Sequence, residues 1–94
     1  MTENVKAGPT TAISQEQIVT PSVSTALASV PTYATWAILK SRSQGVYLRL
    51  TGGTATSADM AITADVPVEI TSKLADVRVL QQAANATVDV WYFA

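Results

Sequence analysis

The chain predicts an all-β fold, a small antiparallel β-sandwich or barrel entered by an extended N-terminal arm. Turn-forming residues punctuate short apolar runs at fairly regular intervals, and no long stripe of helical period interrupts them. The stretch Val77 to Ala94 adds two runs of β-branched and aromatic residues joined by a short Ala/Asn connection. With alternating residues, Val77, Val79, Val88, Val90 and Tyr92 fall on one face, and Arg78, Leu80, Asp89 and Trp91 on the other. This pattern predicts a closing β-hairpin.

Residues 1–16 are assigned to the arm and 17–94 to a single sandwich domain. Met1 to Gln17 carries Glu3, Lys6, Gly8, Pro9, Glu16 and several Thr, Ser and Gln residues, with no hydrophobic core of the kind an export signal needs. A disordered terminus and a tether ordering against a neighbouring subunit both fit this composition. Val5 and Ile13 are its candidate contact residues.

Eight strands are expected after the arm. The first two, Gln17 to Thr20 and Ser22 to Leu27, are short runs. Thr35 to Ser41 contains Trp36. In Gly45 to Leu50, Val46, Leu48 and Leu50 alternate with Tyr47 and Arg49, giving one apolar face and turning Tyr47 outward. Met60 to Ala64 follows. Pro67 to Thr71 alternates Val66, Val68 and Ile70 against Pro67 and Glu69; Pro67 has no backbone donor, so its strand belongs at a sheet edge or starts pairing just after it. Val77 to Gln82 precedes Thr87 to Phe93. Leu74, Val77, Gln81 and Ala84 also lie roughly on a helical face, but the strong strand that follows favours a hairpin. If Gln82 pairs with Thr87, Arg78 lies opposite Trp91, with Asp89 on the diagonal.

Both faces of the last strand are apolar, because Trp91 and Phe93 oppose Val88, Val90 and Tyr92. Such a strand is either central between two layers or has one face in a subunit interface, where aromatic residues serve as anchors. Trp36, Tyr47, Trp91 and Phe93 are therefore candidate interface residues alongside Val5 and Ile13.

Composition excludes several classes of function. Ninety-four residues suit one small domain, and six basic against seven acidic residues leave no electrostatic footprint for nucleic acid. The longest mostly apolar stretch, Tyr33 to Leu39, falls well short of the roughly 20 residues of a spanning helix, so no membrane partner is expected. Cysteine and histidine are both absent, which removes disulfides, thiolate chemistry and the commonest metal ligand and general base.

The remaining motifs read as structure. Thr51-Gly52-Gly53-Thr54 lacks the later Gly, the Lys and the helix of a phosphate loop and reads as a turn. Asn85-Ala86-Thr87 matches a glycosylation sequon, but Asn85 is better explained as a turn residue. Asp59, Asp65, Glu69, Asp76 and Asp89 show no EF-hand spacing, and the Ser and Thr hydroxyls have neither a histidine nor a Gly-x-Ser-x-Gly elbow to activate them. No enzyme, cofactor or metal is expected.

Gly45-Val46-Tyr47-Leu48-Arg49-Leu50-Thr51-Gly52-Gly53, Val66-Pro67-Val68-Glu69-Ile70, Val77-Arg78-Val79-Leu80 and Thr87 to Phe93 together resemble the small all-β virion proteins of tailed bacteriophages. The resemblance covers about the last sixty residues. It implies a β-sandwich or jelly roll in a symmetric particle and carries no catalytic or ligand residue. The expected role is a capsid decoration or cement protein located in the virion, partnered by the major capsid protein or other virion proteins. Homo-oligomerisation is expected, with a trimer the natural symmetry. A head-fibre, neck or tail component is the alternative in the same setting, and a carbohydrate-binding β-sandwich module is the alternative outside it.

Overall fold

The computed structural model describes residues 12–94; Val5 and the rest of the arm up to residue 11 lie outside the described residues. Among the described residues eight strands form: β1 Ala12–Val19, β2 Thr25–Ala26, β3 Trp36–Arg42, β4 Val46–Arg49, β5 Met60–Ile62, β6 Val68–Ile70, β7 Arg78–Gln81 and β8 Thr87–Phe93. A 3₁₀ turn, Leu74–Asp76, leads into β7.

The strands divide into two antiparallel four-stranded sheets, ordered β1-β8-β3-β6 and β2-β7-β4-β5. Every strand pairs with the one equally far from the other end of the series: β1 with β8, β2 with β7, β3 with β6, β4 with β5. Lateral pairing of β3 with β8 and of β4 with β7 then closes each sheet. A long folded ribbon rolled into two sheets in this way is a jelly roll. The expected all-β sandwich is the fold.

Alternation builds the core. Val46, Leu48, Ile62 and Val79 point in from one sheet, and Ile18, Ala37, Leu39, Ile70, Val88, Val90 and Tyr92 from the other. Loop residues Leu27, Leu74, Val77 and Ala86 fill the ends between the layers. Leu50 and Val68 pack against this cluster from partly buried positions, whereas Val66 precedes β6 and is exposed. Pro67 stands immediately before β6, at the edge of its sheet, as its missing donor requires.

The structure corrects three expectations. First, β1 begins at Ala12, so residues 12–16 belong to a sheet rather than to the arm. Their polar composition hides the strand, because the inward-facing Glu16 is satisfied by hydrogen bonds instead of by apolar packing. Second, the expected strand Ser22 to Leu27 shrinks to Thr25–Ala26, since the segment bends from one sheet to the other. Third, β7 and β8 do not form a hairpin, because they lie in different sheets. Asn85 turns the connection with a φ of 70°, and the buried Ala86 carries it past the core. Arg78 consequently sits opposite Ala26 and Arg49, far in register from Trp91, and Asp89 pairs with Arg42.

Candidate functional site

The outer face of the β1-β8-β3-β6 sheet gathers Trp36, Trp91 and Phe93, three of the chain's six aromatic residues. In β8, Val88, Val90 and Tyr92 point to the core, so Thr87, Asp89, Trp91 and Phe93 point away from it. In β3, Ala37 and Leu39 point inward, and Trp36, Ile38, Lys40 and Arg42 outward. The register places Trp36 opposite Phe93, Ile38 opposite Trp91, Lys40 opposite Asp89, and Arg42 opposite Thr87. On the other side of β8, Gln15 stands opposite Trp91 and Gln17 opposite Asp89.

This face is divided along the strands into an apolar and a polar half. At the apolar end, the Trp36 and Phe93 rings stack with centroids 4.1 Å apart and planes inclined by 14°. Phe93 and Ile38 are 5% and 4% exposed although they lie outside the central core, so this end is itself a packed cluster. Trp36 and Trp91 remain half-buried. At the polar end, Arg42 Nε lies 2.6 Å from Asp89 Oδ2, and Gln17 Nε2 donates to Asp89 Oδ1 at 3.3 Å. Between the two ends, Gln15, Glu16, Gln17, Asp89 and Trp91 line a recess.

Of the residues singled out in the sequence, Trp36, Trp91 and Phe93 come together on this face, and Ile13 lies near them at a bulge in β1. Tyr47 does not join them. It points outward from β4 on the opposite sheet, beside Leu80 and Ala61. Ile38, Gln15 and Gln17 complete the face and were not singled out. Ile38 was legible from its spacing to Trp36, whereas the two glutamines become part of the face only through the β1–β8 register.

Among the described residues, no three acidic side chains converge as a metal site. Asp59 accepts instead from Arg49 Nη1 at 3.1 Å and from the Thr56 amide at 2.8 Å, holding the loop around Gly52 and Gly53. Both glycines have positive φ, 74° and 83°, as the expected turn demands.

No protein-family model, curated protein or solved structure matches this chain.

The opposite edge of the face is tied down from the core side. The Tyr92 hydroxyl donates to Glu16 Oε2, which also accepts from the Ser29 amide at 2.9 Å, while Oε1 accepts from the Ala28 amide at 3.2 Å. Burial, followed by the hydrogen bond and negative charge of Glu16, pushes the Tyr92 phenol far above its ordinary range. One carboxylate thus joins β1, β8 and the β2–β3 connection.

Proposed function

We propose that this chain is a non-enzymatic structural protein of a bacteriophage particle, a capsid decoration or cement protein that works by packing against neighbouring subunits. The carrying observation is the apolar half of the outer sheet face, with Trp36, Ile38, Trp91 and Phe93 on a rigid jelly roll. Clustered aromatic side chains bury large contact area at little conformational cost, and they anchor interfaces for that reason. Repeated over the copies of a symmetric particle, modest contacts of this kind add up through multivalency. The jelly roll is shared by capsid and lectin domains, and the analogy supports the reading at the level of fold alone.

In this reading the partner is the major capsid protein or another virion protein, the chain acts as a homo-oligomer, and its place is the virion surface. Quantitative mass spectrometry of purified particles from the source tests it. Hundreds of copies per particle support decoration, a handful reassign the chain to a head fibre, neck or tail, and none removes the reading. A Trp36→Ala, Trp91→Ala double variant is expected to keep its fold and lose particle binding.

A second reading, a carbohydrate-binding module, is favoured by the recess that places Trp91 beside Gln15, Gln17 and Asp89. An indole next to amide and carboxylate groups offers a sugar ring both an apolar platform and oriented hydrogen-bond partners. Stacking of Trp36 on Phe93 leaves Trp91 as the platform on this face. Glycan-array binding lost in Trp91→Ala would favour this reading, and a blank array would remove it.

A further inference from the structure

Each of the two sheets has two edges, and three of the four edge strands are very short: β2 has 2 residues, β5 has 3 and β6 has 3. Short edges are a means of preventing sheets from adding to one another. The fourth edge strand, β1, has 8 residues. Its bulge lies between Ala12 and Ser14, leaving Ser14–Val19 in regular register with β8. Among the described residues, the outer edge of that stretch has no strand beside it and offers a template of backbone donors and acceptors.

The outward-facing positions of β1 are close to symmetric about Glu16, with Gln15 matching Gln17 and Ile13 matching Val19, while Ser14 and Ile18 differ on the inner face. A two-fold axis through Glu16 places Gln15 opposite Gln17 of a second copy on the outer face, and Gln17 opposite the second Gln15. It brings Ile13, 44% exposed, towards Val19, 63% exposed, so apolar groups meet apolar groups and amides meet amides. On the inner face the two Glu16 carboxylates face each other, but each is already held by Tyr92, Ala28 and Ser29. We infer that β1 pairs antiparallel with β1 of a second copy, joining two four-stranded sheets into one sheet of eight strands with a continuous outer face. The symmetry operator is two-fold, in place of the three-fold arrangement expected from the resemblance. The inference rests on the assembly reading only in taking the chain to act in more than one copy.

Light scattering on the full-length chain is expected to give twice the chain mass, and a monomer or a trimer would overturn the inference. Two variants test the register. Gln15→Lys with Gln17→Lys sets lysine against lysine at both outer pairs, whereas Gln15→Glu with Gln17→Lys sets glutamate against lysine, and both place the same Lys beside Asp89. The first is expected to dimerise at least tenfold more weakly than the second, equal dimerisation overturning the β1 pairing. Near-ultraviolet circular dichroism establishes that both variants are folded. Hydrogen exchange on the unmodified chain gives an independent readout: β1 amides are expected to gain protection as protein concentration rises, and concentration-independent exchange would sink the pairing. A dimer absent from purified particles leaves the edge pairing standing and defeats the virion reading, whereas a particle-bound monomer does the reverse.

Discussion

Tyr92 ties the core to the edge of one sheet. Its ring is fully buried in the core, while its hydroxyl reaches Glu16 at the sheet edge. Because burial and Glu16 raise its pKa above the ordinary 10.0, the folded state holds the phenol proton more tightly than the unfolded state. This contribution to stability is fully present below about pH 10 and is lost as pH rises further, by about 1.4 kcal/mol per pH unit for one proton. Denaturant titrations should therefore show an alkaline decline that is shallower in Tyr92→Phe. At neutral pH the same substitution is expected to cost about 1–3 kcal/mol, the scale of a hydrogen bond to a charged acceptor. Ser41 makes the opposite case: it is 0% exposed and its Oγ has no hydrogen-bond partner. Ser41→Ala removes an unsatisfied buried hydroxyl, so its midpoint of unfolding should match or exceed that of the parent, by up to about 1–2 kcal/mol.

At the scale of elements, β1 and β8 form the frame of the molecule. β8 has β1 on one side and β3 on the other; its inner face packs Val88, Val90 and Tyr92 into the core, and its outer face packs Phe93 against Trp36. That strand was legible in the sequence, because alternation over Thr87 to Phe93 is uninterrupted, whereas its place between β1 and β3 came only with the fold. Its partner was not legible: β1 carries Ser14, Gln15, Glu16 and Gln17, and only the fold supplies Glu16 with donors that let a carboxylate face inward. A truncation lacking residues 1–16 removes Ala12 to Glu16, which pair with Phe93 to Val90. It should unfold at markedly lower denaturant than a truncation lacking residues 1–11, and equal midpoints for the two would show that β1 contributes nothing to stability. The β7–β8 connection gives a related lesson. Local chemistry specified a turn at Asn85, and the turn is there, but whether the chain turned back within a sheet or crossed to the other one was decided by which edges were open to β8.

At the scale of the whole molecule, nested pairing of β1 with β8 and β2 with β7 brings together the two ends of the described chain. Contacts so distant in sequence require large loops to close, which slows folding. Stopped-flow refolding should accordingly fall in the millisecond-to-second range, and microsecond folding would be inconsistent with this topology. The sequence by itself determined the all-β class, nearly all of the strands after the arm, the turns at Gly52, Gly53 and Asn85, the edge position of the Pro67 strand and the outward facing of Tyr47. Each of these depends on backbone preference and alternation, which act over a few residues. Only the tertiary structure decided that β7 and β8 part company, that Trp36, Ile38, Trp91 and Phe93 share one surface while Tyr47 lies on the other sheet, and that β1 is the long edge strand among the described residues. Those outcomes depend on sheet order, which is set by the competition of strand edges far apart in the chain and leaves no local mark on the residues that obey it.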